Sequence, residues 1–216
     1  MKIYILHATA GHGHKKVAEV IAHSFLKRGI AENQVRVMDA LDFTPSVFRK
    51  SYPAIYHYSV KKFPQMWGWF YEFLDRPFSA RLMRPLRHIF NRLAGRKLLD
   101  EIKREKPDLI ICAHFFPAEL LASAKQKSEI LAKLMTVITD FCPHSFWINE
   151  GTDCYAVMGD EGAAELQRRG IPKAQIFAGG IPVADDFKPN GRKAEILNRW
   201  GFIVLKRFFM MAPVME

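Results

Sequence analysis

A histidine-rich turn, Gly11-His12-Gly13-His14, follows a short apolar run from Lys2 to His7. The apolar residues after the turn recur at the spacing of a one-sided helix: Val17, Val20, Ile21 and Phe25. We therefore predict a helix that begins at or just after Gly13 and ends near Gly29. The free backbone N–H groups and positive dipole at such a start favour an anionic oxygen just outside the turn. Because an imidazole there can take a proton from a hydroxyl near neutral pH, His14 is a candidate general base.

Three other interpretations of this turn are considered. In a dinucleotide fingerprint Asp39 would bind the ribose, but Lys16 stands where the third glycine is needed for close helix packing, so nicotinamide binding is disfavoured. A metal site built from His7, His12 and His14 has no neighbouring carboxylate or thiol and no common ligand spacing, so no metal is expected. The third interpretation, that the turn is only the capped and solvated start of a helix with no function, is not excluded.

Three segments resemble, in order, the motifs of the diacylglycerol glycosyltransferases, the family of monogalactosyldiacylglycerol synthase and processive diacylglycerol glucosyltransferase. The first runs from Gly11 to Ile21 and resembles the G-x-G-H-x-x-x-A-E-x-I opening of that family. The second resembles its T-D-[FY]-x-x-H-x-x-W…D-x-[YF] block, with Thr139, Asp140, Phe141, His144, Trp147, Asp153 and Tyr155. The third, Gly180-Ile181-Pro182-Val183 with Phe187, resembles its G-[IL]-P-V…F segment.

The resemblance implies the acceptor-side half of a GT-B glycosyltransferase that moves a hexose from a uridine diphosphate sugar to diacylglycerol. His14 falls on the proposed catalytic histidine, and no cofactor is implied. The residues expected to bind acceptor or substrate are Gly11, His12, Gly13, Pro45, Asp140, His144 and Trp147. His12 departs from the small residue usual in the family, and Pro45 and Trp147 could equally be turn and packing residues. The donor site would lie in a C-terminal domain that this chain lacks, so we expect little transferase activity from the chain alone.

Short apolar runs alternate with helical patterns along the chain. The predicted strands are Lys2 to His7, Gln34 to Met38, Asp108 to His114, Lys133 to Thr139, Asp153 to Met158 and Ala174 to Ala178. This alternation predicts an α/β fold, a Rossmann-like parallel sheet with helices on both faces, whose ligands bind beyond the carboxyl ends of the strands. His14, His114 and Asp140 fall at or after such ends, although His114 could be a core-edge histidine and Asp140 a turn cap.

A basic, aromatic insertion occupies about residues 45–106. From Arg49 to Lys106 there are fourteen Lys or Arg and five Asp or Glu, a net charge of +9 against +10 for the whole chain. Aromatic residues beside Lys and Arg are typical of proteins that rest on an anionic lipid surface, although aromatic residues at helical spacing are also core formers. The predicted membrane contacts are Trp67, Trp69, Phe70, Arg81, Arg84 and Arg87. No nucleic-acid module is recognisable, so nucleic acid is not expected as a partner.

The chain is expected to divide into residues 1–188, the acceptor-side domain, and residues 189–216, a linker helix and the start of a donor domain. It carries no apolar run long enough to span a membrane and no secretory signal. The three cysteines have no C-x-x-C spacing, which suits reduced thiols. We therefore expect a cytoplasmic protein peripherally associated with the inner face of the membrane. A non-catalytic lipid-surface or regulatory domain is the alternative.

Overall fold

The computed structural model describes residues 1–9 and 12–184, and residues Met1–Pro182 form one compact unit. Six parallel strands make one sheet in the order β2-β1-β3-β4-β5-β6. The strands are β1 (Ile3–His7), β2 (Val35–Asp39), β3 (Leu109–Cys112), β4 (Lys133–Val137), β5 (Cys154–Val157) and β6 (Ile176–Ala178). All six predicted strands are confirmed, with ends shifted by one or two residues.

Seven α-helices lie within the described residues. They are α1 (His12–Lys27), α2 (Ser46–Lys62), α3 (Pro64–Asp75), α4 (Pro77–Ala94), α5 (Arg96–Glu105), α6 (Phe115–Gln126) and α7 (Asp160–Arg168). Short 3-10 turns occupy Glu32–Gln34, Ala40–Phe43, Ser145–Trp147 and Lys173–Gln175. The first helix begins at His12, one residue before the predicted start at Gly13, and ends at Lys27, two residues before Gly29, whose φ of +84° suits glycine.

Two apolar cores cover the two faces of the sheet because successive strand side chains point to opposite sides. Ile3 and Ile5 of β1 pack with Val17 and Ala18 of α1 on one face. The other face buries Leu6 against α5 and α6. The fold is therefore the predicted Rossmann-like α/β arrangement.

The chain passes from β1 to β2 on one side and then returns to place β3 on the other side of β1. In open parallel sheets the crevice at such a reversal, outside the carboxyl ends of the strands, is where ligands bind. The turn into α1 follows β1 at this point, so His14 stands over the crevice.

The insertion folds as four consecutive helices, α2 to α5, and two of its arginines form ion pairs with the rest of the domain. Arg87 of α4 is only 18% exposed and pairs with Glu119 of α6, and Arg84 pairs with Glu150. Both side chains turn toward the domain because buried or neighbouring carboxylates bind them. Arg81 is exposed, and the predicted membrane contacts at Arg81, Arg84 and Arg87 stay predictions.

Among the helices of the described residues, none combines the length and apolarity that crossing a bilayer requires. Several predictions fall outside these residues: the placement of Gly11 and Phe187, and the linker helix and donor-domain strand within residues 189–216. The predicted boundary at residue 188 stays a prediction.

Candidate active site

The imidazole of His14 is held by its Nδ1 atom at the carboxyl end of β3. Nδ1 lies 2.8 Å from the carbonyl oxygen of Ala113 and 3.2 Å from the hydroxyl of Thr139, which follows β4. Since a carbonyl oxygen only accepts hydrogen bonds, Nδ1 carries the proton in the neutral ring. The lone pair then lies on Nε2, which receives no hydrogen bond from the described residues. This tautomer leaves Nε2 able to accept a proton from a ligand.

The surroundings of His14 keep the ring neutral at physiological pH. Burial lowers the pKa of His14 below its usual range, and the Ala113 carbonyl and the carboxylate of Asp140 partly oppose that shift. Burial disfavours the charged ring, whereas both oxygens favour it. A neutral histidine with a nearby carboxylate can take up a proton and then have the resulting charge stabilised.

Asp140 is fixed by two side-chain donors. The indole Nε1 of Trp147 donates to its Oδ2 atom at 2.6 Å, and the hydroxyl of Tyr71 reaches the same oxygen at 3.3 Å. Trp147 is fully buried, and its ring centroid lies 6.1 Å from that of His14. Trp147 therefore lies in the core beneath the site, as expected if it is a packing residue, and it holds Asp140 by a hydrogen bond.

His144 orders the loop between Asp140 and Trp147. Its Nδ1 accepts from the backbone N–H of Phe146, and its Nε2 donates to the carbonyl of Tyr71 at 2.9 Å. The ring is almost fully buried and stacks on the Tyr71 ring at 3.9 Å. With both nitrogens committed, His144 caps the Ser145–Trp147 turn and joins the loop to α3, so its contacts are those of a structural residue.

A second connection from α3 secures the same loop. Asp75, at the end of α3, accepts from the backbone N–H of Ser145 at 2.6 Å. Arg169 donates two parallel hydrogen bonds to Asp75, at 2.8 and 2.7 Å. Such bidentate pairs are the geometrically specific form of ion pair, so α3 is tied both to the loop and to the end of α7.

His114 packs directly against the candidate base. Its ring stands edge-on to that of His14, with centroids 4.7 Å apart, and its Nδ1 accepts from the N–H of Phe116 at the start of α6. Complete burial, with smaller contributions from His14 and His7, lowers the pKa of His114 well below its usual range. His114 is therefore a neutral core-edge histidine that caps α6 and backs His14.

The other predicted site residues lie at the surface. His12 and Gly13 are exposed in the first turn of α1, and a side chain at Gly13 would enter open space. Pro45 is exposed immediately before α2. Within residues 1–9 and 12–184, no three His, Cys, Asp or Glu side chains form a group able to hold a metal ion.

Three residues that contact His14 or Asp140 are not among the predicted site residues: Ala113, Thr139 and Tyr71. Thr139 stands in a quoted motif directly after a strand, so its position is a signal that could have been used. Ala113 acts through its backbone, and Tyr71 lies 69 residues from Asp140 along the chain, so neither leaves a local sequence pattern.

A second surface of note is formed by the outward sides of α3 and α4. We call it the apolar face, and its exposed members are Met66, Trp69, Phe70 and Phe73 of α3 with Phe78, Leu82, Leu86, Ile89 and Leu93 of α4. Trp69 and Phe73 stack on each other at 5.7 Å. Trp69 and Phe70 are thus exposed as predicted, whereas the side chain of Trp67 lies outside the described part of the chain.

Comparison with known proteins gives concordant results. The family model for monogalactosyldiacylglycerol (MGDG) synthase matches residues 14–183. Among curated proteins, the processive diacylglycerol beta-glucosyltransferases of Bacillus mycoides (strain KBAB4) and Bacillus cereus (strain G9842) are each 27% identical, over 97% of this chain and 52% of their own length. The chain thus spans about half the length of these relatives.

Among solved structures, the apo form of the lipopolysaccharide outer core galactosyltransferase WaaB aligns with 82% of this chain and 44% of its own. The TM-score is 0.45 and the identity 15%. The family model covers well over half of the chain, from His14 through the Asp140 loop to Val183. The chain belongs to the monogalactosyldiacylglycerol synthase family.

Proposed function

We propose that this chain supplies the acceptor-side half of a GT-B glycosyltransferase that moves a hexose from a uridine diphosphate sugar to diacylglycerol. The observation that carries the proposal is the fixed tautomer of His14, whose Nδ1–H faces the Ala113 carbonyl and whose Nε2 is left to accept a proton. Family membership supplies the reaction class, and the names of the Bacillus relatives supply the acceptor.

In the proposed reaction Nε2 of His14 accepts the proton of the diacylglycerol hydroxyl while that oxygen bonds to the anomeric carbon of the sugar. The bond between the sugar and the diphosphate breaks, and uridine diphosphate leaves with its electron pair. Asp140 stabilises the imidazolium that forms, and the Ala113 carbonyl keeps the ring aimed. In this proposal the donor is held by a second domain, and this chain spans about half the length of the Bacillus relatives.

The test is transfer of labelled hexose from uridine diphosphate glucose or galactose to vesicles that contain diacylglycerol. His14→Ala should lower the rate by about 10²- to 10⁴-fold, the usual contribution of a general base. His23→Ala, an exposed position on the same helix, is the matched control, and His12→Ala separates the two histidines of the turn. If the 216-residue chain shows no transfer, the three variants are compared in a chimera that adds the second half of the Bacillus mycoides relative. A loss below tenfold for His14→Ala would contradict the role as base.

We also propose that the apolar face rests on the membrane that holds the acceptor. Soluble proteins rarely expose contiguous apolar patches of this kind, and an aromatic pair such as Trp69 and Phe73 suits the boundary between lipid and water. The excess of Lys and Arg in the insertion adds attraction to anionic lipid. A peripheral location on the cytoplasmic side follows the same proposal, and the three free cysteines suit that compartment.

Co-sedimentation with vesicles of phosphatidylglycerol and phosphatidylcholine tests this surface. Leu86→Ser should reduce the bound fraction severalfold, because it removes an exposed apolar side chain from the centre of α4. Leu131→Ser is the matched control, since Leu131 is even more exposed than Leu86 (90% against 62%) but lies before β4, at the amino end of the sheet. Equal losses for the two variants would refute the assignment. Binding without transfer in the chimera would favour the alternative, a lipid-surface domain that is not catalytic.

A further inference from the structure

Helix α4 packs with its polar side inward and its apolar side outward, the reverse of an ordinary surface helix. Its outward stripe consists of Phe78, Leu82, Leu86, Ile89 and Leu93, which recur every three or four residues and are each more than half exposed. The opposite side of the helix carries Arg84, Arg87, His88 and Asn91 and faces the domain. The hydrophobic effect alone would favour the other rotation, so some inward contact must oppose it.

That contact is centred on Glu119 of α6, whose side chain is almost fully buried. Arg87 Nε lies 2.8 Å from its Oε2 atom, Asn91 Nδ2 donates to the same oxygen at 2.9 Å, and His88 Nε2 lies 3.1 Å from Oε1. All three partners come from consecutive turns of α4. The guanidinium of Arg87 also lies over the ring of Phe146, 4.3 Å from its centroid.

Glu119 is unusual in its own helix as well. Phe116, Ala118, Leu120 and Leu121 around it are buried and apolar. Burial raises the pKa of Glu119, whereas Arg87 and Asn91 favour the charged form. A carboxylate in such a position is tolerated only when its partners accompany it, so releasing α4 would leave it without the groups that compensate its burial.

Outer ion pairs lie on both sides of this cluster. Arg84 pairs with Glu150 at 3.2 Å and Arg92 with Glu129 at 2.8 Å, but Glu150 is 70% exposed, and exposed pairs contribute little. Glu129 is 17% exposed and meets only Arg92 of α4, whereas Glu119 is 1% exposed and meets three residues of α4, so the contact at Glu119 is the one able to set the rotation of α4.

We propose that Glu119 is an orienting residue: it binds the polar side of α4 and thereby fixes the rotation that leaves the apolar stripe free to enter a lipid surface. The claim that Glu119 sets the rotation of α4 rests on the contacts of Glu119. Only the claim that the exposed stripe binds lipid rests on the proposed function. Without the carboxylate, α4 turns its leucines toward α6 and its arginines toward water, as an isolated amphipathic helix would do.

The orientation is measured by maleimide labelling of single cysteines. Leu86→Cys reports the outward stripe, and Arg84→Cys reports the inward side. Each is made in the full chain with Cys142→Ser and Cys154→Ser, which remove the two accessible thiols. Cys112 is kept because it is buried. With Glu119 present, the cysteine at 86 should react at least tenfold faster than the cysteine at 84. Glu119→Met should reverse that order. Glu129→Met, which removes the partner of Arg92 and Lys103 but spares the central cluster, is the control and should leave the order unchanged.

A folded Glu119→Met chain that keeps the original labelling order would overturn the proposal. If this variant does not show a cooperative melting transition, the double variant Glu119→Met with Arg87→Leu replaces the buried pair by apolar side chains, a change that folds usually tolerate. The same two outcomes then decide the proposal.

Vesicle binding is measured on the same proteins, with phosphatidylglycerol and phosphatidylcholine as the lipids. Glu119→Met should lower the bound fraction at least fivefold although Glu119 itself is buried and cannot touch lipid. If the unsubstituted chain does not bind vesicles, the lipid part of the proposed function fails, whereas the labelling order still decides the role of Glu119.

Discussion

Trp147→Phe tests whether the core holds the active-site carboxylate. The side chain is fully buried, and its Nε1–H donates to Asp140 at 2.6 Å. A hydrogen bond to a charged group contributes about 1.5 to 3 kcal/mol, and the lost part of the indole removes buried apolar contact worth about 1 to 2 kcal/mol. Phenylalanine should therefore lower the free energy of unfolding by about 2.5 to 5 kcal/mol, a large share of the roughly 5 to 15 kcal/mol typical of a domain.

The assay is urea denaturation followed by far-ultraviolet circular dichroism, so that the signal does not depend on the tryptophan that is replaced. Trp69→Phe is the matched control: the same substitution on the exposed side of α3, where it should change stability by less than about 0.5 kcal/mol. Vesicle binding should respond in the opposite order, falling for Trp69→Phe. Equal destabilisation by the two substitutions would refute the assignment of Trp147 to the interior of the site.

Two further substitutions address the base and the turn before β5 that packs against α6. Asp140→Asn removes a negative charge that raises the pKa of His14, so the pKa of the imidazole, followed by nuclear magnetic resonance, should fall further below its usual range; an unchanged or higher value would exclude the electrostatic role. Gly151→Ala should cost about 3 kcal/mol in thermal or urea unfolding, because φ is +94° and a Cβ would lie 2.5 Å from the carbonyl oxygen of Ala122. Gly170→Ala, with φ of +90° but open space around it, should cost only the backbone strain of about 1 to 2 kcal/mol.

The sheet could be predicted from the sequence because most of its inner strands are short apolar runs, as strands covered on both faces must be, and helical patterns separate them. His14 could be placed for a related reason. A glycine turn that follows such a strand and precedes an amphipathic helix must lie at the carboxyl end of the sheet. The family resemblance added Asp140, His144 and Trp147, but it did not distinguish side chains that meet a ligand from side chains that hold the loop. That distinction depends on which side chains are buried. Their burial depends on helix α3 of the insertion, which packs against the loop from Asp140 to Trp147.

The orientation of α4 shows a different limit. Its periodicity indicates an apolar stripe and a basic stripe, but not which of them faces the domain. The prediction includes Arg84 and Arg87 among the membrane contacts because basic residues beside aromatic residues are typical of a lipid-binding surface. The decisive residue, Glu119, lies on another helix, where a single acidic side chain within the apolar run from Phe115 to Ala124 is the available signal. A lone carboxylate in a buried helix requires partners, and an arginine-rich amphipathic helix elsewhere in the chain can provide them.

The apolar face and the candidate active site share one helix, α3. Trp69 and Phe73 are exposed on its outer side, while Tyr71 and Asp75, each two residues further along the chain, contact the loop that carries Asp140 and His144. Residues two apart point to nearly opposite sides of a helix, so the same turns of α3 bear both sets of contacts. If lipid binds the outer side, any tilt of α3 is transmitted to the oxygen atoms that hold Asp140 and the Ser145–Trp147 turn. One helix therefore connects the apolar face directly to the loop that carries Asp140, without a path through the sheet.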